Sequence, residues 1–487
     1  MPFNHFNRLF LLSTVLTFSL AASNVWAQGL TKVTLTEEKT AKAAPVAVVR
    51  TDAGIAPVDG IETNPLRKAL VEAYLHNPEL EAQRKGQNVV DERVPQALSG
   101  ALPTAAISYE DGRRRTRFGS GAKWSFGQAT TENLSVTQPL FRGGTTWANV
   151  KSARHDVRAG QARLTQVEQE VLLNTVRAYM EVVQTQAVVD LSKKNFDVLG
   201  KQFEAANQRF EVGEDTRTDV AQSESRLALA KSQLVESEGR FASAKASFRR
   251  FVGYDPDDAL MPEKMPELPK SLKAAIELAK ANNPRLREVN HRKESADYQI
   301  NADVGRLLPS VNLRGTVNRQ QGAGVFGNSD FDQDELMLNM SVPLFQGGAE
   351  YSRVREAREQ YQQQRFLELD MSQQVHQQVV SAWENLQATE ASMVSNQAAI
   401  DAAKIALDGV KQEQQYGART TLDVLDAERE LFDTEVRYIT SRQNHVVAVY
   451  TLLSSVGNLT AESLDLEAPV YDPNKHFEDV EYQFIGF

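Results

Sequence analysis

Two periods of hydrophobic spacing alternate along the chain, and each occurs twice. From about Thr145 to Phe251 there is no proline, and Phe196, Leu199, Phe203, Ala206 and Phe210 step by threes and fours, the seam of a long amphipathic helix. The same stepping returns at Ile400, Ala403, Leu407 and Val410. Ahead of each helical stretch the period drops to two. Ala105, Ile107 and Tyr109 alternate with Ala106, Ser108 and Glu110, and Leu134 and Val136 alternate with Asn133, Ser135 and Thr137. Later, Val311, Leu313, Gly315 and Val317 alternate with Asn312, Arg314, Thr316 and Asn318, and Leu336, Leu338, Met340 and Val342 with Glu335, Met337, Asn339 and Ser341. Such alternation marks strands with one apolar and one wet face.

The punctuation between these segments repeats as well. Asn77-Pro78 is answered by Asn283-Pro284, Leu102-Pro103 by Leu308-Pro309, and Phe251-Val252-Gly253 by Ser455-Val456-Gly457. Pro139, Gly143 and Gly144 in Pro-Leu-Phe-Arg-Gly-Gly are answered by Pro343, Gly347 and Gly348 in Pro-Leu-Phe-Gln-Gly-Gly. The offset stays between 204 and 206 positions. The chain therefore reads as a duplicated unit. The first copy covers 63–255, with a hairpin at 104–138 and helices at 145–210 and 216–251. A Pro-rich linker, 256–270, leads to the second copy at 271–459, with a hairpin at 310–342 and helices at 349–415 and 420–455. Solenoid repeats of about 20–50 residues are far shorter. The first helix of each copy spans roughly 100 Å at 1.5 Å per residue. Within each copy a glycine stop, Gly213 or Gly417, precedes a Thr and Asp helix start, so the two helices turn back on each other.

Composition removes several function classes. A net charge of -10 argues against a nucleic-acid partner. Mean hydropathy is -0.42, and no apolar run reaches the roughly 18 residues of a spanning helix. There is no Cys, hence no disulfide, thiolate site or Cys nucleophile, and the seven His have no ligand spacing. Gly119-Ser120-Gly121 lacks the glycine and helix of a nucleotide loop, and no acid/base constellation is present, so neither an enzyme nor a cofactor is expected. Arg8, the apolar stretch Leu9–Ala22 and Val25-Trp26-Ala27 read as a cleaved signal peptide over 1–27. With no Cys after it, the mature chain is not expected to be acylated at an N-terminal Cys. Residues 28–62 read as a flexible lead-in and 460–487 as an irregular acidic tail.

Two hairpins supply four strands. An open four-stranded sheet in a bilayer would leave about ten unpaired backbone groups on each edge, at several kcal/mol apiece. Natural membrane barrels start at about eight strands, so the barrel must be shared between protomers, in a dimer or a trimer. The helices are too polar for lipid and must extend into the aqueous space below. The expected fold class is thus an α+β membrane protein, a shared β-barrel above a long periplasmic coiled-coil tube.

The two Asn-Pro breaks, the Leu-Pro hairpin entries, the Pro-Leu-Phe-x-Gly-Gly exits and the Gly…Thr…Asp-Val turns together resemble the TolC-like outer-membrane factor family, over about residues 62–460. That resemblance implies an outer-membrane β-barrel continuous with the periplasmic coiled-coil barrel, in a homotrimer exporting substrates in type I protein secretion, multidrug efflux or both. Its implied partners are a periplasmic adaptor (membrane-fusion) protein, an inner-membrane ABC, RND or MFS transporter, and outer-membrane lipid. A poreless periplasmic scaffold is the alternative; it accounts for the helices but not for the strands.

Asp423 and Asp426, at i and i+3, share a helix face just after the second turn. They are either helix N-terminal acids meeting the macrodipole or, as the resemblance implies, an acidic ring constricting the periplasmic entrance. The first copy has Asp219 but Gln222 at the matching positions. Arg419 and Asp219 are expected to bond and hold the second helix pair closed, unless Arg419 is merely solvated. Gln414 stands where the family uses a tyrosine. Val212, Gly213, Thr216, Gly417, Ala418 and Thr420 form the turns, with adaptor docking implied by the resemblance. Arg113, Arg114, Arg115 and Arg117 fall on the outer loop, either solvated or facing lipopolysaccharide phosphates.

Overall fold

The computed structural model describes residues 65–486 apart from 118–119, 257–259, 263–264, 325–326 and 329. The expected signal peptide and lead-in lie outside the described residues.

The Asn-Pro breaks are the hinges of two equivalent corners. Asn77 separates α1 (Pro65–His76) from α2 (Pro78–Asp91), and its side chain accepts from the Glu79 and Leu80 amides. Asn283 separates the helices that follow the first copy in the same way, accepting from the Arg285 and Leu286 amides. A cap oxygen before a proline at the first helical position satisfies orphan amides without needing one from the proline. Each asparagine also reaches across the fold. Asn77 Nδ2 donates to Phe251 O at 3.1 Å and Asn283 Nδ2 to Ser455 O at 3.0 Å. These acceptors are themselves 204 positions apart, so the same corner is built twice.

After α3 (Arg93–Leu98) and a 3-10 turn, the chain enters β1 (Thr104–Thr116) and returns along β2 (Ser125–Arg142). The second copy contributes β3 (Ser310–Gly324), a two-residue rung β4 (Gly327–Asn328) and β5 (Phe331–Ser341). All pairings are antiparallel, in the order β1-β2-β3-β5, with β4 capping the top of β3. Among the described residues the strand count is therefore five, the short rung belonging to the returning arm of the second hairpin. A second departure concerns Pro139, which was expected to end its hairpin. Instead β2 runs on to Arg142 against β3, with a register irregularity between Pro139 and Phe141. A bulge is where a strand tolerates a residue without an N–H. Its counterpart Pro343 follows the end of β5.

Below the sheet, α4 (Thr145–Glu211) and α8 (Ala349–Gln415) each have 67 residues, and α5 (Arg217–Val252) and α9 (Thr421–Val456) each have 36. The long helices start from left-handed Gly144 and Gly348, and the shorter ones end at left-handed Gly253 and Gly457. Because α5 is only about half the length of α4, the upper part of α4 needs another neighbour. It is α7 (Pro284–Gly305), seated by Thr145 Oγ1 donating to Ala302 O at 3.2 Å and by the Ser152–Ser295 hydroxyl pair at 2.8 Å. The main core lies at mid-height, where α1, α4, α5, α8, α9 and α6 (Leu272–Asn282) bury Leu66, Tyr74, Leu172, Met180, Phe248 and Leu452.

The residues after α9 are irregular apart from one short helix, yet they pack onto the fold. Leu459, Ala461 and Leu466 enter the main core. The Tyr471 amide donates to Tyr74 Oη at 2.9 Å, and α10 (Lys475–Val480) docks beside α2, with His476 Nδ1 3.2 Å from Asp91 Oδ2. Apolar residues spaced among the acids supply the contacts that net charge conceals. No described helix is long and apolar enough to cross a membrane.

Candidate functional site: the helical tips and the sheet

The two tips share one backbone. Val212 and Tyr416 cap their helices, Gly213 and Gly417 take φ of 81° and 76°, and Thr216 and Thr420 open the next helix. Both threonines form a full capping box, with Asp219 and Asp423 respectively. The Thr420 amide and hydroxyl both donate to Asp423 Oδ2, at 2.9 and 2.8 Å, and these bonds hold the Asp423 carboxyl below its usual range.

The side chains that brace the tips are inverted. In the first tip Arg209 on the helix donates to Asp215 in the turn at 2.8 Å. In the second, Arg419 in the turn donates to Glu413 on the helix, also at 2.8 Å. Arg209 corresponds to Glu413 and Asp215 to Arg419 at the repeat offset of 204, so the pair is kept with its polarity swapped. The expected bond between Arg419 and Asp219 is not among those formed within the described residues of the protomer. Within the protomer Arg419 is taken by Glu413, while Asp219 Oδ2 accepts the Thr216 amide at 3.0 Å. Gln414 donates to Thr421 Oγ1 at 3.2 Å.

Asp423 and Asp426 stand at successive turns but have different partners. Asp426 Oδ1 accepts from Arg226 Nη2 on α5 at 2.6 Å, a bridge between the two copies. Just beside it Leu199, Ala230 and Leu425 form a small buried cluster that joins α4, α5 and α9. Arg226, Arg209, Asp215 and Glu413 were not singled out in the sequence. The swapped brace could have been found by comparing charges at the repeat offset; the Arg226–Asp426 bridge could not, since it depends on how α5 meets α9. No cluster of three metal-ligating side chains occurs among the described residues.

At the other end, Gly143, Gly144, Gly347 and Gly348 make the turns from sheet to helix, with φ of 62°, 81°, 65° and 82°. A Cβ on Gly143 would lie 2.0 Å from Gly305 O, so here the first copy's exit touches the second copy's entry directly. The sheet bares apolar side chains, including Ile107 (81% exposed) and Leu336 (75%), and each outer strand, β1 and β5, has a partner on one side only.

A sheet with a lipid-compatible face, set on helices far longer than a globular core needs, defines an outer-membrane export channel. The chain belongs to the outer membrane efflux protein family, whose model matches residues 69–254 and 275–458. It is 33% identical over 422 residues to the outer membrane efflux protein BepC of Brucella suis biovar 1, covering 86% of this chain and 91% of that protein. It is 24% identical over 414 residues to the outer membrane protein TolC of Salmonella enteritidis, covering 82% and 83%. Among solved structures, the CmeC outer membrane channel of Campylobacter jejuni superposes with a TM-score of 0.74 at 15% identity, over 86% of this chain and 89% of that one. The fold is that of the outer-membrane channels, the protein is not an enzyme, and its place is the outer membrane, reaching into the periplasm.

Proposed function

We propose that three copies close one twelve-stranded barrel in the outer membrane above a shared helical duct. The duct carries substrates of an inner-membrane ABC, RND or MFS pump across the periplasm, in type I protein secretion, multidrug efflux or both. The observation that carries this reading is the pair of open edges. Among the described residues β1 and β5, of 13 and 11 residues, each lack a neighbour on one side, and lipid offers no hydrogen bonds to replace one. Four long strands are too few to close alone, and the family's outer-membrane placement favours pairing the edges over leaving them to water. Asp423 and Asp426 then ring the periplasmic mouth, and the turns at Val212, Gly213, Thr216, Gly417, Ala418 and Thr420 present the surface on which a periplasmic adaptor docks.

Native mass of the protein extracted in detergent from outer membranes tests the assembly. A trimer is expected. A monomer or dimer, or recovery from the soluble periplasmic fraction, would overturn it. Crosslinking from Val212 and Ala418 tests docking, and failure to capture an adaptor from either position counts against it.

A further inference from the structure

The two open edges carry opposite charge. On the face of β1 that bears Ala105, Ile107 and Tyr109, the outer end continues as Arg113 and Arg115, with Arg117 just beyond the strand. On the face of β5 that bears Leu336, Leu338 and Met340, the outer end continues as Asp334 and Asp332, with Asp330 just before the strand. All six charged side chains are exposed. Among the described residues none of them forms an ion pair, and Asp330 accepts only the Gly322 amide, at 3.4 Å. Arg319 lies directly opposite both Glu132 and Asp332 in the ladder, one cation between two acids, so the β5 edge stays negative. Arg115 and Arg117 lie over the Trp124 ring at 3.9 and 4.8 Å. Stacking holds a guanidinium plane still while leaving its in-plane N–H donors free.

The apolar belt fixes how the edges must meet. Followed straight across the sheet, Ile107 pairs with Leu134, Leu134 with Val317, and Val317 with Asp334. Ile107 and Asp334 cannot share one depth in a bilayer, because Ile107 sits in the middle of its apolar run and Asp334 is above that of β5. Bringing Ile107 opposite Met340 takes a slide of six residues along the strand. The same slide sets Tyr109 opposite Leu338 and Ala105 opposite Val342. It also sets Arg113 opposite Asp334, Arg115 opposite Asp332, and Arg117 opposite Asp330. A slide of four would put Asp111 against Asp334, one of eight would put Arg113 against Leu336, and odd slides would turn apolar side chains to the lumen. With a slide of six, Asp111 faces Leu336, but it is already served by Gln128 and Thr130 at 3.1 and 3.2 Å. Around twelve strands a slide of six per protomer adds up to a strand tilt of roughly 45°, within the range of membrane barrels.

Resting on the shared-barrel reading above, we propose that the barrel seam is an ionic ladder between copies. Arg113, Arg115 and Arg117 of one protomer pair with Asp334, Asp332 and Asp330 of the next. The ladder selects a second copy of this chain as the only neighbour whose apolar belt and charges match in one register. It also closes the outer, headgroup-level half of a seam whose lower half is held by apolar contacts.

The full chain has no Cys, so paired cysteines read the register directly. The Arg115→Cys/Asp332→Cys variant is expected to form disulfide-linked trimers in outer membranes, while Arg115→Cys with Leu336→Cys, four positions away, stays unlinked. Charge reversal is the second arm. Asp330→Arg/Asp332→Arg/Asp334→Arg is expected to lower detergent-resistant trimer at least tenfold, as is Arg113→Asp/Arg115→Asp/Arg117→Asp. The chain carrying all six changes is expected to recover trimer, which a mere folding defect would not do. Trimers that link only in another register, or a six-change chain no better than either parent, would overturn the ladder while leaving the trimer standing. Native masses below a trimer in the unmodified protein would remove the shared-barrel reading itself.

Discussion

Arg226 on α5 donates to Asp426 on α9 at 2.6 Å, so one of the two acids at the tip is tied across the repeats while the other, Asp423, is committed to its own helix cap. The Asp426 side chain is 58% exposed, and a pair so open to water contributes at most about 1 kcal/mol to stability. In the proposed trimeric duct its larger effect is on the field at the mouth, where each Arg226 offsets one carboxylate.

Conductance with divalent cations in planar lipid bilayers separates the two acids. Asp423→Asn is expected to weaken cation block more than Asp426→Asn, because Arg226 already offsets the charge of Asp426. Arg226→Gln is expected to tighten block by about tenfold, the scale of one freed charge a few ångströms from a bound cation at partial screening. Unchanged block in Arg226→Gln would mean that Asp426 does not face the conduction path.

Gly143 and Gly347 are equivalent in the duplication but not in their surroundings. Both have positive φ, which costs a residue with a Cβ about 1–2 kcal/mol. Of the two, only at Gly143 would that Cβ overlap a carbonyl, Gly305 O; among the described residues nothing beyond the chain neighbours comes within 4 Å of a Cβ placed on Gly347. Gly143→Ala is expected to abolish most folded protein in outer membranes, whereas Gly347→Ala loses a modest part of its thermal stability. Equal losses would show that Gly347 meets an equivalent carbonyl on a neighbouring copy.

His155 and His291 lie with ring centroids 5.6 Å apart between α4 and α7, and the Nδ1 atom of each is buried without a hydrogen bond. Burial lowers both, helped by Arg158 on each, Lys151 beside His155 and Arg287 beside His291; Glu294 and Asp156 oppose the shift at His155, and Glu294 at His291. A base depressed in the fold contributes stability that is full above the unfolded value near about 6.5 and is lost as pH falls toward the folded one. With the intrinsic base-catalysed rate divided out, protection factors of amides in upper α4 and α7 should therefore be lower at pH 5 than at pH 7.5, by a ratio that the His155→Gln/His291→Gln variant abolishes.

The docked C-terminal segment gives a fourth test. Tyr74→Phe removes the acceptor of the Tyr471 amide, at a cost of about 1 kcal/mol. Limited proteolysis should then cut between Leu466 and Asn474 several times faster, with no change at the tips. Unaltered cleavage would mean that the buried Leu459 and Leu466 hold the segment alone.

The fold class was legible because two periods of apolar spacing alternate and then repeat, a pattern that local chemistry writes directly into the chain. The helical tips were legible for the same reason, since glycine, threonine and aspartate each act on neighbouring backbone. The true end of β2 was not legible, because a bulge in a doubly paired strand absorbs Pro139, a residue that ordinarily ends one. The terminal segment misled because its charge outweighed the few apolar residues that dock it. Arg226 and Asp426 are 200 positions apart, on helices whose relative rotation no local pattern specifies.

The matched lengths of α4 and α8, and of α5 and α9, act as a ruler laid down twice. Both tips end at one level only while the two rulers agree. A seven-residue insertion in α4 alone would push its tip about 10 Å below the other and part Arg226 from Asp426. The reach of the duct can therefore change over evolutionary time only in paired steps, one in each copy, and any lineage that spans a wider gap should carry its extra residues twice.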